Sequence, residues 1–202
     1  MTEEQIKFYD IKHFHGYKKI GNDLDYIVII DHEEKTIILQ FEESTTKTDW
    51  KNNFSFLPAR LKIGKSYIWT THGYKRAYDD SPVSEFERSC INYPDYKRII
   101  LGWSFGSAMA KIAAVQFAQS GASLDELTTF GDVKCFLNPF IKLKNIKRIR
   151  QYVTPNDFIT WCVPFYHRTN KCTVGDKFSL KKIFKTEYYH TNYDKYDYSD
   201  FE

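Results

Sequence analysis

KRIILGWSFGSAMAKIAAVQFAQSG, residues 97–121, is the stretch whose reading decides the fold. It opens with a charged entry, Lys97-Arg98, and continues as the aliphatic run Ile99-Ile100-Leu101 to Gly102, which reads as a strand. From Phe105 the pattern changes. Ala108, Met109, Ala110, Ile112, Ala113, Ala114, Val115 and Phe117 are apolar on almost every side, which predicts a helix over Phe105–Gln119 buried against a sheet. Gly121 suits the C-terminal end of that helix. Between strand and helix lies Gly102-Trp103-Ser104-Phe105-Gly106, a G-x-S-x-G sequence.

That placement has a chemical meaning. A serine hydroxyl is a weak nucleophile unless it is lifted clear of the fold and met by a base. A tight strand-to-helix turn presents Ser104 at its tip. Glycines two residues to either side let neighbouring backbone pass close without a Cβ clash. The helix start adds backbone N–H groups and a partial positive charge where an oxyanion would develop. G-x-S-x-G alone is a weak signal, and a Gly-rich turn with an incidental serine is the competing reading. The strand before it and the helix after it favour the nucleophile.

Outward from this turn, residues 25–31 and 36–41 read as strands joined by a polar turn at residues 32–35, so as a hairpin. Residues 67–70 read as a short strand, and residues 82–90 as a helix with Pro82 in its first turn. Residues 127–131 and 146–153 read as further strands, the last with basic and apolar residues alternating. Strands alternating with helices predict an α/β fold with a mostly parallel central sheet and helices on both faces. No internal repeat or long Gly/Ser/Pro linker interrupts the chain, so one domain over residues 1–202 is expected.

In an α/β-hydrolase the acid and then the histidine follow the serine along the chain. Asp157 follows the strand predicted at 146–153, and its competing reading is a cap or Asx-turn residue. His167 and His190 are the two histidines beyond it. Both are candidate bases, with position near the C-terminus favouring His190. The base would take the Ser104 proton, and Asp157 would fix its tautomer.

These residues resemble the class 3 lipases, the fungal triacylglycerol lipase-like branch of the α/β-hydrolases. The resemblance runs through Phe41-Glu42-Glu43-Ser44 with Asp49-Trp50, Thr71-His72-Gly73-Tyr74, the Gly102 to Gly106 turn, Thr129-Phe130-Gly131-Asp132-Val133, and Asn156-Asp157-Phe158-Ile159 onward to Pro164. It implies a serine-dependent ester hydrolase working without metal or cofactor on ester or lipid substrates. By this resemblance His190 is the base, His167 an accompanying residue, and the backbone N–H groups of Phe105 and Ser44 the oxyanion hole. Two departures stand out. Glu42-Glu43 replace the family's Arg-Gly, which removes a glycine's freedom and adds two carboxylates beside the oxyanion loop. Residues 73–97 are few, leaving little room for a long lid, which favours small or headgroup-presented esters. Glu42-Glu43 also motivate a second reading, a binding module with an impaired site; acyl transfer through the same triad is a third.

Composition bounds the rest. The chain is 42% hydrophobic and 17% aromatic, enough for a real core, and its net charge of +3 does not argue for nucleic acid. The four cysteines form no C-x-x-C pair, and no signal peptide or membrane span is recognisable, so a cytoplasmic location is expected. Lys142, Lys144, Lys147, Arg148 and Arg150 form one basic run, and Lys181, Lys182 and Lys185 another. Each reads as a solvated face or as a contact for an anionic membrane surface. His13 and His15, with Asp10 nearby, are too few ligands for an assigned metal site.

Overall fold

The computed structural model describes residues 1–14, 16–20, 24–42, 55–64, 66–138, 141, 143, 145–163, 166–168 and 170–201. In chain order the elements are α1 (Glu3–His13), β1 (Lys18–Ile20), β2 (Leu24–Asp31), β3 (Thr36–Phe41), β4 (Pro58–Ile63), β5 (Ser66–Thr71), α2 (His72–Ala77), α3 (Ser81–Asn92), β6 (Lys97–Trp103), α4 (Phe105–Gln119), β7 (Leu124–Phe130), β8 (Ile146–Val153), β9 (Cys172–Thr173), α5 (Leu180–Ile183) and α6 (Thr186–Thr191). Short 3₁₀ turns cover Phe158–Trp161, Tyr193–Lys195 and Ser199–Phe201.

Among the described residues a seven-stranded sheet runs in the order β1-β2-β3-β6-β7-β8-β9. The pairs from β3 to β9 are parallel, while β1, β2 and β3 are antiparallel neighbours. The chain has the mostly parallel sheet and flanking helices of the α/β-hydrolase fold. The hairpin expected at 25–41 is present, with Asp31 opposite Thr36 across its polar turn.

Each central strand serves two cores. Ile100 of β6 faces α3, α4 and the β4–β5 hairpin, in a core containing Leu39, Phe41, Phe86, Met109 and Ile112. Ile99, Leu101 and Trp103 alternate to the other face, where they meet Phe8 and Ile11 of α1 together with Tyr193 and Tyr198. The helix α4 is buried along nearly its whole length, as its sequence predicts, yet one buried residue is Lys111, at 0% exposure. It is paired there with Asp132, whose carboxylate lies 2.8 Å from Nζ.

The helix α1 was not evident from its sequence. Thr2 and Gln5 form a capping box, Glu3 and Glu4 complement the helix dipole, and Glu4, Phe8 and Ile11 are buried on one face. Buried Glu4 pairs with Arg150 of β8, and Lys7 with Glu126 of β7. Residues 73–97 are occupied by α2, α3 and the start of β6, with Val83, Phe86 and Cys90 of α3 packed into the core.

Candidate active site

The turn after β6, the loop after β8 and the helix α6 converge where the parallel strands end, the usual place for a site in an open α/β sheet. Ser104 follows β6 directly, and its backbone is held at φ 54, ψ −120, outside ordinary L-residue conformations. Two hydrogen bonds fix the turn: Ser104 N–H donates to Phe130 O at 3.0 Å, and Ser107 N–H to Ser104 O at 3.0 Å. The flanking glycines are required by contact. A Cβ on Gly102 would lie 2.8 Å from Ala110 Cβ, and one on Gly106 would lie 2.5 Å from Phe41 O and 2.6 Å from Glu42 O. The turn is thus wedged between its own helix and the end of β3.

Asp157 lies four residues past β8. It is fully buried and caps the 3₁₀ turn that follows, its Oδ1 accepting from Ile159 N–H at 3.1 Å. The capping reading is therefore correct, and the same carboxylate has a second task. Its Oδ2 meets His190 Nδ1 at 2.7 Å, and His190 Nε2 meets Ser104 Oγ at 2.7 Å. Residues separated by 86 and 33 positions thereby form one continuous hydrogen-bonded relay. The imidazole is 2% exposed and the hydroxyl-bearing Ser104 3%.

His167 is elsewhere. It is exposed and bridges Phe136 through its backbone N–H. Phe105 is the first residue of α4, with its ring 5.4 Å from that of Tyr74. Ser44, Glu43 and Asp49-Trp50 lie outside the described residues. Glu42 N–H donates to Asp25 O at 3.0 Å. In the Thr71-His72-Gly73-Tyr74 element, Thr71 is buried and caps α2 by accepting from Tyr74 N–H at 3.1 Å, while His72 is exposed.

Three features escaped sequence reasoning. The Tyr193 hydroxyl donates to Asp157 Oδ2 at 3.0 Å and accepts from Thr154 N–H at 3.1 Å. Burial, and then the charge of Asp157, hold its phenol well above the ordinary range, so it remains a donor. Gly131 has φ +52, and a Cβ there would lie 2.8 Å from His190 Cε1; it makes the room the imidazole occupies. Asp132 is a buried hub that accepts from Lys111 Nζ, from Thr129 Oγ1 at 2.8 Å and from Arg168 Nε at 3.1 Å. Arg168 also reaches Thr160 O, and Thr160 Oγ1 donates to Asp157 O at 2.8 Å. A lone lysine in an apolar helix and a lone aspartate after an apolar strand were the available signal, since stranded opposite charges must pair.

Other candidates resolve differently. Burial pushes the Cys90 thiol up to about 11 and Cys135 to about 12, so neither is a thiolate near neutral pH. The carboxylates of Glu3, Glu4 and Glu126 come together, but Lys7 Nζ lies 2.7 Å from Glu3 and 3.6 Å from Glu4 and also pairs with Glu126. That ammonium stands where a cation would. His13 packs on Tyr9, and His15 lies outside the described residues.

Fold and relay together define an α/β-hydrolase-type protein with a serine at a tight strand-to-helix turn. A family model described as Lipase (class 3) matches residues 38–167, and the chain belongs to that family. The Saccharomyces cerevisiae protein named "Putative lipase LIH1" is 27% identical over 127 residues, which is 53% of this chain and 38% of that protein. Rhizomucor miehei lipase in its propeptide complex superposes with a TM-score of 0.66 at 22% identity, covering 79% of this chain and 55% of that one. A triacylglycerol lipase described as having a serine protease triad at its catalytic centre gives a TM-score of 0.64 at 23% identity, covering 76% and 62%. The chain spans about two-fifths of the curated relative and under two-thirds of these solved lipases.

Proposed function

We propose that this chain is a serine-dependent carboxylic ester hydrolase acting through an acyl-enzyme on Ser104. The observation that carries the reading is the relay from Ser104 Oγ through His190 to Asp157, with both links at 2.7 Å. His190 accepts the Ser104 proton as Oγ attacks the ester carbonyl, then returns a proton to the leaving alkoxide. Asp157 holds the Nδ1–H tautomer and stabilises the imidazolium. The N–H of Phe105, at the start of α4, is proposed as one oxyanion donor and that of Ser44 as the second. No metal or cofactor enters this sequence of steps. The substrate class proposed is a phospholipid or acylglycerol, following the family and the triacylglycerol lipase resemblance in fold.

The test is hydrolysis of p-nitrophenyl esters from acetate to palmitate. Ser104→Ala or His190→Ala should lower kcat by about a millionfold, and Asp157→Ala by ~10,000-fold, with the fold retained. Turnover surviving in Ser104→Ala refutes the reading. Folded wild type without turnover on any ester favours the binding-module reading that Glu42-Glu43 motivate. Acyl transfer would show as product carrying an added alcohol or amine acceptor. We also propose a reducing, cytoplasmic setting, on the ground that all four cysteines are free; fractionation of the source cell tests it.

A further inference from the structure

The chain between the relay's acid and its base carries a second feature. Thirteen large apolar side chains are exposed among the described residues, and six of them fall within residues 158–188: Phe158, Trp161, Phe178, Leu180, Phe184 and Tyr188. Leu180 is 71% exposed and Phe184 93%. The segments that carry them are fastened together around Asn156. Asn156 Nδ2 donates to the carbonyls of Asp176 at 3.3 Å and Lys177 at 3.2 Å, and Asn156 Oδ1 accepts from Ser179 N–H at 2.9 Å. Thr186 Oγ1, at the start of α6, accepts from Phe158 N–H at 2.7 Å. Pro155, Phe158, Trp161 and Phe178 line an apolar hollow of about 400 Å³ at this junction.

Charge surrounds the apolar side chains. Residues 177–188 hold four lysines against one glutamate. Lys177, Lys181 and Lys185 are exposed, and Lys182 pairs with Asp176. Lys171 and Lys195 lie over the rings of Trp161 and Tyr188, at 5.7 Å and 5.3 Å from their centroids. The other basic run differs, since Lys147 is paired with Asp125 and Arg150 with Glu4. Aromatic and aliphatic tips that stand in water, rimmed by ammonium groups on flexible stems, match the acyl–headgroup boundary of an anionic bilayer.

We infer that the exposed side chains of Phe158, Trp161, Phe178, Leu180, Phe184 and Tyr188, with the lysines around them, form a membrane-docking surface that selects bilayers bearing anionic headgroups. The apolar tips enter the headgroup–acyl boundary, and the lysines stay at the phosphate level. Docking there would bring Asp157 and His190, at the two ends of the segment, next to the bilayer. The inference adds a partner to the proposed hydrolase site, but it is read from binding rather than turnover.

The experiment uses Ser104→Ala protein sedimented with vesicles of phosphatidylcholine alone and of phosphatidylcholine containing one-third phosphatidylglycerol. Binding to the anionic vesicles should be at least about tenfold tighter and should weaken with salt, each lysine contributing roughly fivefold. Lys181→Gln with Lys185→Gln should weaken it on the order of twentyfold, while in the otherwise native chain the same pair leaves p-nitrophenyl acetate hydrolysis unchanged. Brominated acyl chains should quench wild-type tryptophan fluorescence and lose most of that effect in Trp161→Phe. Equal binding to both vesicles, no binding, or anionic binding untouched by the lysine pair overturns the inference. So does a Phe184→Ser change that shifts a monomer–dimer equilibrium without altering sedimentation, because the surface then belongs to a second copy. Vesicle binding by a folded wild-type chain that turns over no ester sinks the hydrolase reading and leaves this one standing.

Discussion

At the residue scale, the site depends on what is missing as much as on what reacts. Ser104 keeps its positive φ because Gly102 and Gly106 admit backbone that any Cβ would displace. Gly131 does the same for the imidazole. Gly131→Ala should leave a folded protein with His190 pushed off its hydrogen bonds, and kcat on a soluble ester should fall by at least about a hundredfold. Unchanged kcat would mean the ring has another place to sit. Tyr193→Phe removes a donor to a buried carboxylate, so denaturant unfolding should show a loss of about 1.5–3 kcal/mol. Ser104 and Asp157 could be proposed from G-x-S-x-G and chain order, which left His167 and His190 both open, and the fold brings Ser104, His190 and Asp157 together. Tyr193 and Gly131 were not legible, since a tyrosine after a histidine and a glycine after a strand announce no partner until the chain has folded.

At the element scale, legibility followed pattern strength. The helix α4 matched its expected limits, and the strands β3, β6 and β8 lie where their apolar runs placed them. The helix α1 was missed because its apolar residues are sparse, although the T-E-E-Q capping box was there to be read. The strand β4 was missed because Pro58, Arg60 and Lys62 alternate outward while only Ala59, Leu61 and Ile63 are buried. Lys111 ties α4 to the loop after β7 through Asp132. Lys111→Met should cost about 3–5 kcal/mol in denaturant unfolding, because it leaves a buried carboxylate short of a partner. A loss under 1 kcal/mol would show that Arg168 and Thr129 satisfy Asp132 without it.

At the scale of the whole molecule, the C-terminal residues close the second core. Tyr152 stacks on Phe130, Tyr198 meets Tyr152 edge-on, and Arg150 pairs with Phe201 O, which anchors the chain just beyond His190. The sequence left open whether this tail docks or frays; it docks, while Trp103 Nε1 donates to His190 O at 3.2 Å just upstream. The many buried phenols have a consequence for pH. Burial holds Tyr74, Tyr152, Tyr193 and Tyr198 above the ordinary tyrosine value of 10.0. A group raised in the fold contributes stability below its unfolded value and loses it as pH climbs toward the folded one. Unfolding free energy should therefore be level to about pH 9 and then fall, by up to about 1.4 kcal/mol per pH unit for each such group. Urea titrations across pH 8–11 check this, and an unfolding free energy that stays level to pH 11 would contradict it.

The central claim is that Ser104 is a nucleophile activated by His190. The most direct measurement is intact mass and peptide mapping after brief treatment with a fluorophosphonate probe, beside Ser104→Ala and His190→Ala. One adduct per chain on the Ser104 peptide, absent from the first variant and slowed by orders of magnitude in the second, is the result predicted. A folded wild-type protein that stays unlabelled, or labels equally in the Ser104→Ala variant, would contradict the account.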